Sequence, residues 1–98
     1  MTKQITVEER LLNHAHPIHI ALNLEGTHAV GHYHKFHELV IILNNHGVHV
    51  TDTERYPVSA GDAFVIKPGN VHHYVDISGG MELYNIIYLK EYLPFSLF

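Results

Sequence analysis

The sequence predicts an all-β sandwich or barrel made of a single domain. About seven short apolar or β-branched runs follow one another at regular spacing, separated by turn signals containing Gly, Asn, Asp or Pro. No long segment shows the periodicity of an amphipathic helix. A chain of 98 residues with 46% hydrophobic and 16% charged side chains is large enough for one core but not for two.

The first clear strand is predicted at 18–24, where alternate aliphatic residues, Ile18 to Leu24, share one face. We expect this aliphatic face to pack on the core. Further strands are predicted at 5–7, 30–43, 48–51, 56–58, 63–66, 71–77 and 82–89. Asn and Gly at 44–47 predict a tight hairpin, and Pro57 predicts an edge strand.

The most informative stretch runs from His32 to Glu38 and continues into the aliphatic residues 39–43. If this strand is unbroken, His32, His34 and Glu38 point the same way, because residues two apart share a face. Their face is otherwise apolar, and an unpaired buried polar group costs about 1–3 kcal/mol. The stretch is therefore either a hydrogen-bonded polar cluster or a binding site.

Because residues two apart in a strand share a face, several residues outside this cluster can also be assigned to the inner or the outer face. His37 is expected to face outward, and Tyr74 is expected to line the same cavity as His72. Three histidines oppose the presumed core residues and are expected to be solvated: His19, His49 and His73. On the other face of this strand, Leu39, Ile41 and Leu43 indicate either a second layer or a subunit contact, and a subunit contact would make the chain a homodimer.

Composition and motifs exclude several function classes. A net charge of −4 argues against nucleic-acid binding by this part of the chain. The absence of cysteine excludes disulfides and thiolate metal ligands and is compatible with a cytoplasmic location. No apolar run approaches the roughly 20 residues of a membrane-spanning helix. No nucleophile–base motif or Gly-rich phosphate loop is present either.

Two motifs in the first three quarters of the chain resemble the paired motifs of the cupin superfamily. The first motif is carried by Gly26, His32, His34, Glu38 and Gly47, and the second by Gly61, Gly69 and His72. The second motif departs from the family at Lys67, where a proline is expected, and at Asp76, where an Asn is expected. The resemblance implies a cupin-like antiparallel β-barrel (a double-stranded β-helix, or jelly roll) with little helix. It also implies a divalent-metal site, for zinc, nickel, iron or manganese, at His32, His34, Glu38 and His72.

From about Gly31 to Tyr88 the chain is similar to the sugar-sensing N-terminal domain of AraC-type transcription regulators, particularly the rhamnose-responsive ones. The similarity is carried by 32–41, 47–50, 56–58, 61–66, His72 with Tyr74, and 83–88. It implies an effector-binding and dimerisation domain that is not an enzyme and requires no cofactor. The effector, a sugar, would be held by His32, His34, Glu38, His72 and Tyr74.

The resemblance also implies a domain organisation. Residues 1–98 would form one sensor domain with its core at 18–89, and a helix-turn-helix DNA-binding domain would follow residue 98. The apolar end from Leu93 to Phe98 fits such a continuation. DNA would then be bound by that following domain. The alternative reading is a free-standing, metal-dependent cupin enzyme, either an oxygenase or an isomerase.

Overall fold

The structure, a computed structural model, describes residues 2–4, 12–13, 15–26, 31–33 and 36–92. At 2–4, 31–33 and 92 it describes the backbone alone. The described residues form nine strands: β1 Thr2–Gln4, β2 Ile18–Glu25, β3 Gly31–Tyr33, β4 His37–Ile42, β5 His46–Thr51, β6 Arg55–Ser59, β7 Ala63–Ile66, β8 His72–Val75 and β9 Met81–Tyr88. A single 3-10 turn, Lys90–Tyr92, follows β9. The strand predicted at 5–7 lies outside the described residues.

The strands form two sheets that face each other. The five-stranded sheet has the order β1-β3-β8-β5-β6, and the four-stranded sheet has the order β2-β9-β4-β7. All strand pairs are antiparallel except β1 with β3. The predicted all-β architecture with little helix is confirmed. In the described part of the chain, no helix has the length and apolar character needed to cross a bilayer.

The core lies between the two sheets and takes side chains from both. Its buried cluster consists of Val40, Ile42, Val58, Ile66, Tyr74, Met81 and Leu83. Burying an aliphatic side chain of this size stabilises the fold by about 1.5–3 kcal/mol. The predicted inward face of β4 is confirmed, because Phe36, Glu38, Val40 and Ile42 are all buried.

The strand predicted at 30–43 is broken, so the prediction of one continuous strand is wrong. β3 pairs with β1 and β8 in the five-stranded sheet, whereas β4 pairs with β9 and β7 in the four-stranded sheet. One straight strand cannot hydrogen-bond to both sets of neighbours, so the chain changes sheets between Tyr33 and His37. His32 on β3 and Glu38 on β4 therefore belong to different sheets.

The turn predicted at 44–47 is present, but the hairpin is not. β4 and β5 belong to different sheets, so this turn carries the chain across the barrel. Asn45 has a left-handed φ of 66°, a conformation that Asn tolerates better than most residues. Its Nδ2 donates to the carbonyl oxygens of Ser78 (2.6 Å) and Gly80 (2.5 Å). These bonds tie the crossing turn to the turn before β9.

The aliphatic face of β2 is exposed, which contradicts the prediction that it packs on the core. Ile18, Ile20, Leu22 and Leu24 are 40%, 60%, 56% and 70% exposed. The opposite face, which carries His19, is partly buried. A period-2 pattern distinguishes two faces of a strand, but it does not identify the inner one when both faces are largely uncharged.

The strands run between two ends of the barrel. At one end, here called the Asn45 end, the turns after β4, β6 and β8 meet, and Ala60 N donates to Asn45 O. The opposite end, called the Asn70 end, holds the β5–β6 turn and the turn at Lys67–Asn70, closed by Asn70 N donating to Lys67 O. The β5–β6 turn closes a hairpin, since β5 pairs with β6. β9 runs toward the Asn70 end, so the 3-10 turn lies there.

We predict that Gly47→Ala destabilises the fold. Gly47 is buried, and a Cβ there would lie 2.6 Å from Ile77 Cγ1 and 3.3 Å from Val75 O. Relieving such overpacking costs about 1–3 kcal/mol, measurable by urea unfolding. Gly26→Ala is the matched control, because nothing lies within 4 Å of its added Cβ. Equal stability of the two variants would show that the Gly47 contact is unimportant.

Candidate functional site

His49 lies at the centre of the inner face of the five-stranded sheet. It pairs with Tyr56 on β6 and Tyr74 on β8 and is only 1% exposed. Its ring centroid is 5.2 Å from that of Tyr56, 4.8 Å from Phe64 and 5.1 Å from Tyr74. The prediction that His49 is solvated is wrong. β5 turns its valines away from the core and its glycine and histidine toward it.

A line of hydrogen bonds runs through His49. Its Nδ1 lies 2.8 Å from the Tyr56 hydroxyl oxygen, and its Nε2 lies 3.4 Å from His72 Nδ1. A neutral imidazole has one N–H donor and one acceptor nitrogen. His49 therefore donates toward one neighbour and accepts from the other, so the line has a single direction. His72 is itself 2% exposed and sits at the start of β8.

Glu38 lies on the inner face of the four-stranded sheet and is 6% exposed. Its Oε2 accepts a 2.5 Å hydrogen bond from Asn85 Nδ2, and Asn85 Oδ1 accepts one of 2.6 Å from Asn23 Nδ2. The two amides lie on β9, which is next to β4, and on β2, which is next to β9. They hold the carboxylate in place and offset part of the cost of burying it.

Tyr74 is buried in the same interior, but its hydroxyl has no hydrogen-bond partner in the described part of the chain. Burial raises the pKa of Tyr74 well above its usual value, and the negative charge of Glu38 raises this pKa further. The phenol therefore stays protonated and remains available as a donor.

A pocket of about 390 Å³ opens at the Asn70 end of the barrel. It is lined by His49, Thr51, Asp52, Thr53, Glu54, Tyr56, Val65, Ile66, Asn70 and His72. These residues supply imidazole, hydroxyl and amide groups over two aliphatic side chains, and the only charged ones are acidic. Partial burial, and secondly the charge of Glu54, raise the pKa of Tyr56, so its hydroxyl is neutral at pH 7.

The structure places three of the five predicted ligand-binding residues in the interior. Glu38, His72 and Tyr74 are buried there; His72 lines the pocket, while Glu38 and Tyr74 do not. His32 is the backbone partner of His72, but its side chain is outside the described part, and His34 lies outside it altogether. Sequence reasoning missed His49 and Tyr56 as pocket residues. His49 and Tyr56 lie directly opposite each other on the β5–β6 hairpin. Because directly opposed residues share a face, this pairing was the signal that could have placed both side chains together.

The donor set of the predicted metal site is only half covered by the described side chains. Glu38 and His72 belong to that set, and the remaining ligands would be His32 and His34. Within the described residues, no three His, Cys, Asp or Glu side chains form a group that could hold a metal ion. The hydrogen bond from Asn85 to Glu38 is of the kind that orients a ligating carboxylate. The metal stays a prediction.

A second, smaller pocket of about 250 Å³ lies outside the core at the Asn70 end. It is lined by Leu12, Phe36, His37, Pro68, Tyr88, Leu89 and Lys90. His37 was expected to face outward, and its half-exposed ring lies 5.6 Å from that of Tyr88. Partial burial, followed by the positive charges of Lys90 and Lys67, lowers the pKa of His37, and Glu91 opposes this effect. The imidazole is therefore neutral at pH 7.

Comparison with known proteins identifies both the fold and the type of domain. A family model described as an AraC-like ligand binding domain matches residues 14–94. The chain is 35% identical over 65 residues to the HTH-type transcriptional activator RhaR of Pectobacterium carotovorum, a match covering 66% of this chain and 22% of the relative. It is 38% identical over 66 residues to RhaR of Escherichia coli K12, covering 67% and 23%. The chain thus spans less than a quarter of these relatives.

Several of the solved structures that resemble this one are named as cupins. A cupin protein from Bacteroides fragilis superposes with a TM-score of 0.64 at 22% identity, covering 84% of this chain and 72% of the other. A cupin 2 conserved barrel domain protein from Salinispora arenicola gives a TM-score of 0.59 at 21% identity, covering 80% and 68%. At these identities the likeness shows the fold alone, and it confirms the predicted cupin barrel.

We predict that Tyr74→Phe is nearly neutral at pH 7 and stabilising at alkaline pH. At pH 7 the change removes a buried hydroxyl that has no partner among the described residues, so the free energy of unfolding should change by less than about 1 kcal/mol. The raised folded pKa of Tyr74 means that only the unfolded chain releases its proton above about pH 10. The parent therefore loses stability as pH rises through that value, and the variant should lose less.

Urea unfolding at pH 7, 9 and 10.5 measures this difference. Tyr84→Phe is the matched control, because Tyr84 is 38% exposed on the outer face of β9. This substitution should leave the alkaline fall in the free energy of unfolding unchanged. A Tyr74→Phe variant with the full alkaline slope of the parent would contradict the burial of this hydroxyl.

Proposed function

Because the chain belongs to the family of AraC-like ligand-binding domains, we propose that it binds a neutral sugar in the pocket at the Asn70 end and so serves as the effector sensor of a transcription regulator. The chemistry of the pocket lining carries this proposal. The lining combines imidazole, hydroxyl and amide groups with two aliphatic side chains, as small-molecule sites commonly do.

The donors and acceptors of the pocket match those of a polyol. Sugar hydroxyls donate and accept hydrogen bonds, and so do the hydroxyls of Thr51 and Tyr56 and the two nitrogens of a neutral imidazole. A pocket of about 390 Å³ falls in the size range of small-ligand sites, about 300–1,000 Å³. These features support a small neutral ligand.

Charge further narrows the ligand class. Among the described residues, the pocket lining includes Asp52 and Glu54 but neither Lys nor Arg. An anionic metabolite would meet two carboxylates without a cation to balance its charge. A neutral sugar avoids that repulsion, so we propose a neutral sugar rather than a sugar acid or sugar phosphate.

The proposed roles extend the predicted set of ligand-binding residues. His72 would contact the sugar at the inner wall, and His49 and Tyr56 join it there through their line of hydrogen bonds. Glu38 and Tyr74 would support the deeper interior, with His32 and His34 completing the predicted set. In this proposal the domain is a binding module without catalytic activity, and sugar binding requires no metal.

The role of the whole protein is also a proposal. The curated relatives are named HTH-type transcriptional activators, and the matched region covers less than a quarter of their length. We therefore propose one sensor domain with its core at 18–89, followed in the full protein by a helix-turn-helix domain that binds DNA. We further propose that the regulator is cytoplasmic and that this domain dimerises.

We predict that Tyr56→Phe weakens sugar binding several-fold. The change keeps the ring but removes the hydroxyl that bonds to His49, and losing one such bond costs about 0.5–1.5 kcal/mol. Isothermal titration of the purified chain with a panel of neutral sugars that includes L-rhamnose, and with the corresponding sugar acids, measures this effect. Tyr84→Phe, which alters an exposed tyrosine far from the pocket lining, should bind like the parent. Binding of the acids but not the neutral sugars would contradict the proposed ligand class.

We predict that added zinc or nickel raises the melting temperature through the predicted metal set, because an ion that binds only the folded chain stabilises it. His72→Ala should abolish the increment, whereas His73→Ala, its neighbour on β8, should retain it. Removal of divalent ions with EDTA should leave sugar affinity unchanged. Loss of sugar binding in EDTA would contradict the proposal that the effector needs no metal.

A further inference from the structure

The strand β2 forms one edge of the four-stranded sheet, and within the described part of the chain it pairs with β9 alone. Leu89 N donates to Pro17 O, so the pair Pro17–Leu89 is hydrogen-bonded. Hydrogen-bonded pairs alternate along an antiparallel ladder, so the odd-numbered residues of β2 bond to β9. The backbone N–H and C=O groups of Ile18, Ile20, Leu22 and Leu24 therefore point toward the other edge.

The sequence of β2 lacks the Lys, the Pro and the short length that usually block strand pairing, and Glu25 at its end is its one charged residue. Natural edges are protected by Lys, Pro, bulges or short length. The edge strand of the other sheet, β6, contains Arg55 and Pro57. In contrast, β2 is eight residues long, contains neither Lys, Arg nor Pro, and exposes four large aliphatic side chains on one face.

We propose that β2 pairs with β2 of a second copy of this chain, antiparallel and two-fold symmetric about Ala21. The proposed function includes a dimer, and this inference says where its two copies meet. It rests on the proposed function only in taking the dimer to exist. The two four-stranded sheets would join into one sheet of eight strands. The occupant is a second copy because the strand is complementary to itself, as a two-fold interface requires.

The pattern of side chains shows this complementarity. With the axis at Ala21, Ile18 lies opposite Leu24 of the second copy, and Ile20 lies opposite its Leu22. On the other face His19 lies opposite Asn23, so polar groups meet polar groups. All four outward-pointing backbone positions of each strand find hydrogen-bonding partners. No two like charges are brought together.

Other registers give fewer cross-strand contacts between the exposed aliphatic side chains of β2. Moving the axis to Leu22 places Ile18 opposite Gly26, so one aliphatic side chain loses its cross-strand contact. A shift of one residue is excluded, because it opposes the exposed aliphatic face to the inner face and misaligns the backbone donors and acceptors. The axis at Ala21 is therefore the register that pairs every exposed aliphatic residue of β2.

A cysteine-scanning experiment tests this register, since the natural chain contains no cysteine. In the proposed dimer Ala21 opposes its own copy in a non-hydrogen-bonded pair, with Cα atoms about 4.5 Å apart, within the disulfide range of about 4.4–6.8 Å. Ala21→Cys should form a disulfide-linked dimer under mild oxidation. Leu22→Cys should not, because its symmetry mate is a diagonal neighbour at about 7–8 Å. Cross-linking at Leu22→Cys, alone or together with Ala21→Cys, would overturn the register.

Sedimentation of the uncross-linked chain tests the interface itself. The parent should be a dimer. Leu22→Pro, which removes an N–H that points to the free edge but none that bonds to β9, should be a monomer, and Leu22→Val should remain a dimer. A monomeric parent, or a Leu22→Pro variant that is still dimeric, would overturn the proposal.

Sugar titration of the same variants separates this inference from the proposed function. A monomeric Leu22→Pro variant that still binds sugar supports both. If the parent is dimeric and the Ala21→Cys variant cross-links, but neither binds sugar, the effector proposal is contradicted and the interface proposal is supported.

Discussion

The structure depends on satisfying polar groups inside an apolar barrel. His49, His72 and Glu38 are buried on the inner faces of the two sheets, where a polar group without partners costs about 1–3 kcal/mol. His49 meets this requirement through Tyr56 and His72, and Glu38 meets it through Asn85. These hydrogen bonds join side chains on paired strands, β5 with β6 and β8, and β4 with β9. The register of each sheet therefore sets where these polar groups lie. His49, Tyr56 and His72 also line the pocket, so the hydrogen bonds that satisfy the interior place the polar groups of the pocket as well.

Local signals were enough to predict the fold and most of its turns. Gly61 and Gly69 occupy positive φ values of 95° and 82°, a conformation that glycine adopts without strain. The turns that contain them therefore lie where the sequence predicts. The alternation of residues also predicted the buried face of β4, and Pro57 predicted the edge position of β6. These features depend on the residues of one segment and need no knowledge of its neighbours.

The errors arose where a segment's role depends on what lies beside it. The sequence between His32 and Ile42 contains no break signal, yet the chain changes sheets there because the hydrogen-bonding partners of β3 and β4 differ. On β2 and β5 the sequence predicts that the aliphatic residues form the core face, but β2 turns its aliphatic residues outward and half-buries His19, and β5 turns its valines outward and buries His49. His49 was missed for this reason. The assignment of Glu38, His72 and Tyr74 to the interior was correct because each has the parity of the buried core residues of its own strand.

The direction of β9 has a mechanical consequence. The strand starts at the end of the barrel fixed by Asn45 and finishes beside the pocket end, where it passes into the turn at Lys90–Tyr92. The turn at Lys90–Tyr92 therefore lies at the same end of the barrel as the pocket proposed for the effector, and Lys90 and Tyr88 line a second cleft there with His37. At the opposite end, Asn45 ties the crossing turn to Ser78 and Gly80. An effector bound as proposed would therefore act beside the turn that follows β9 and away from the end that these hydrogen bonds hold together.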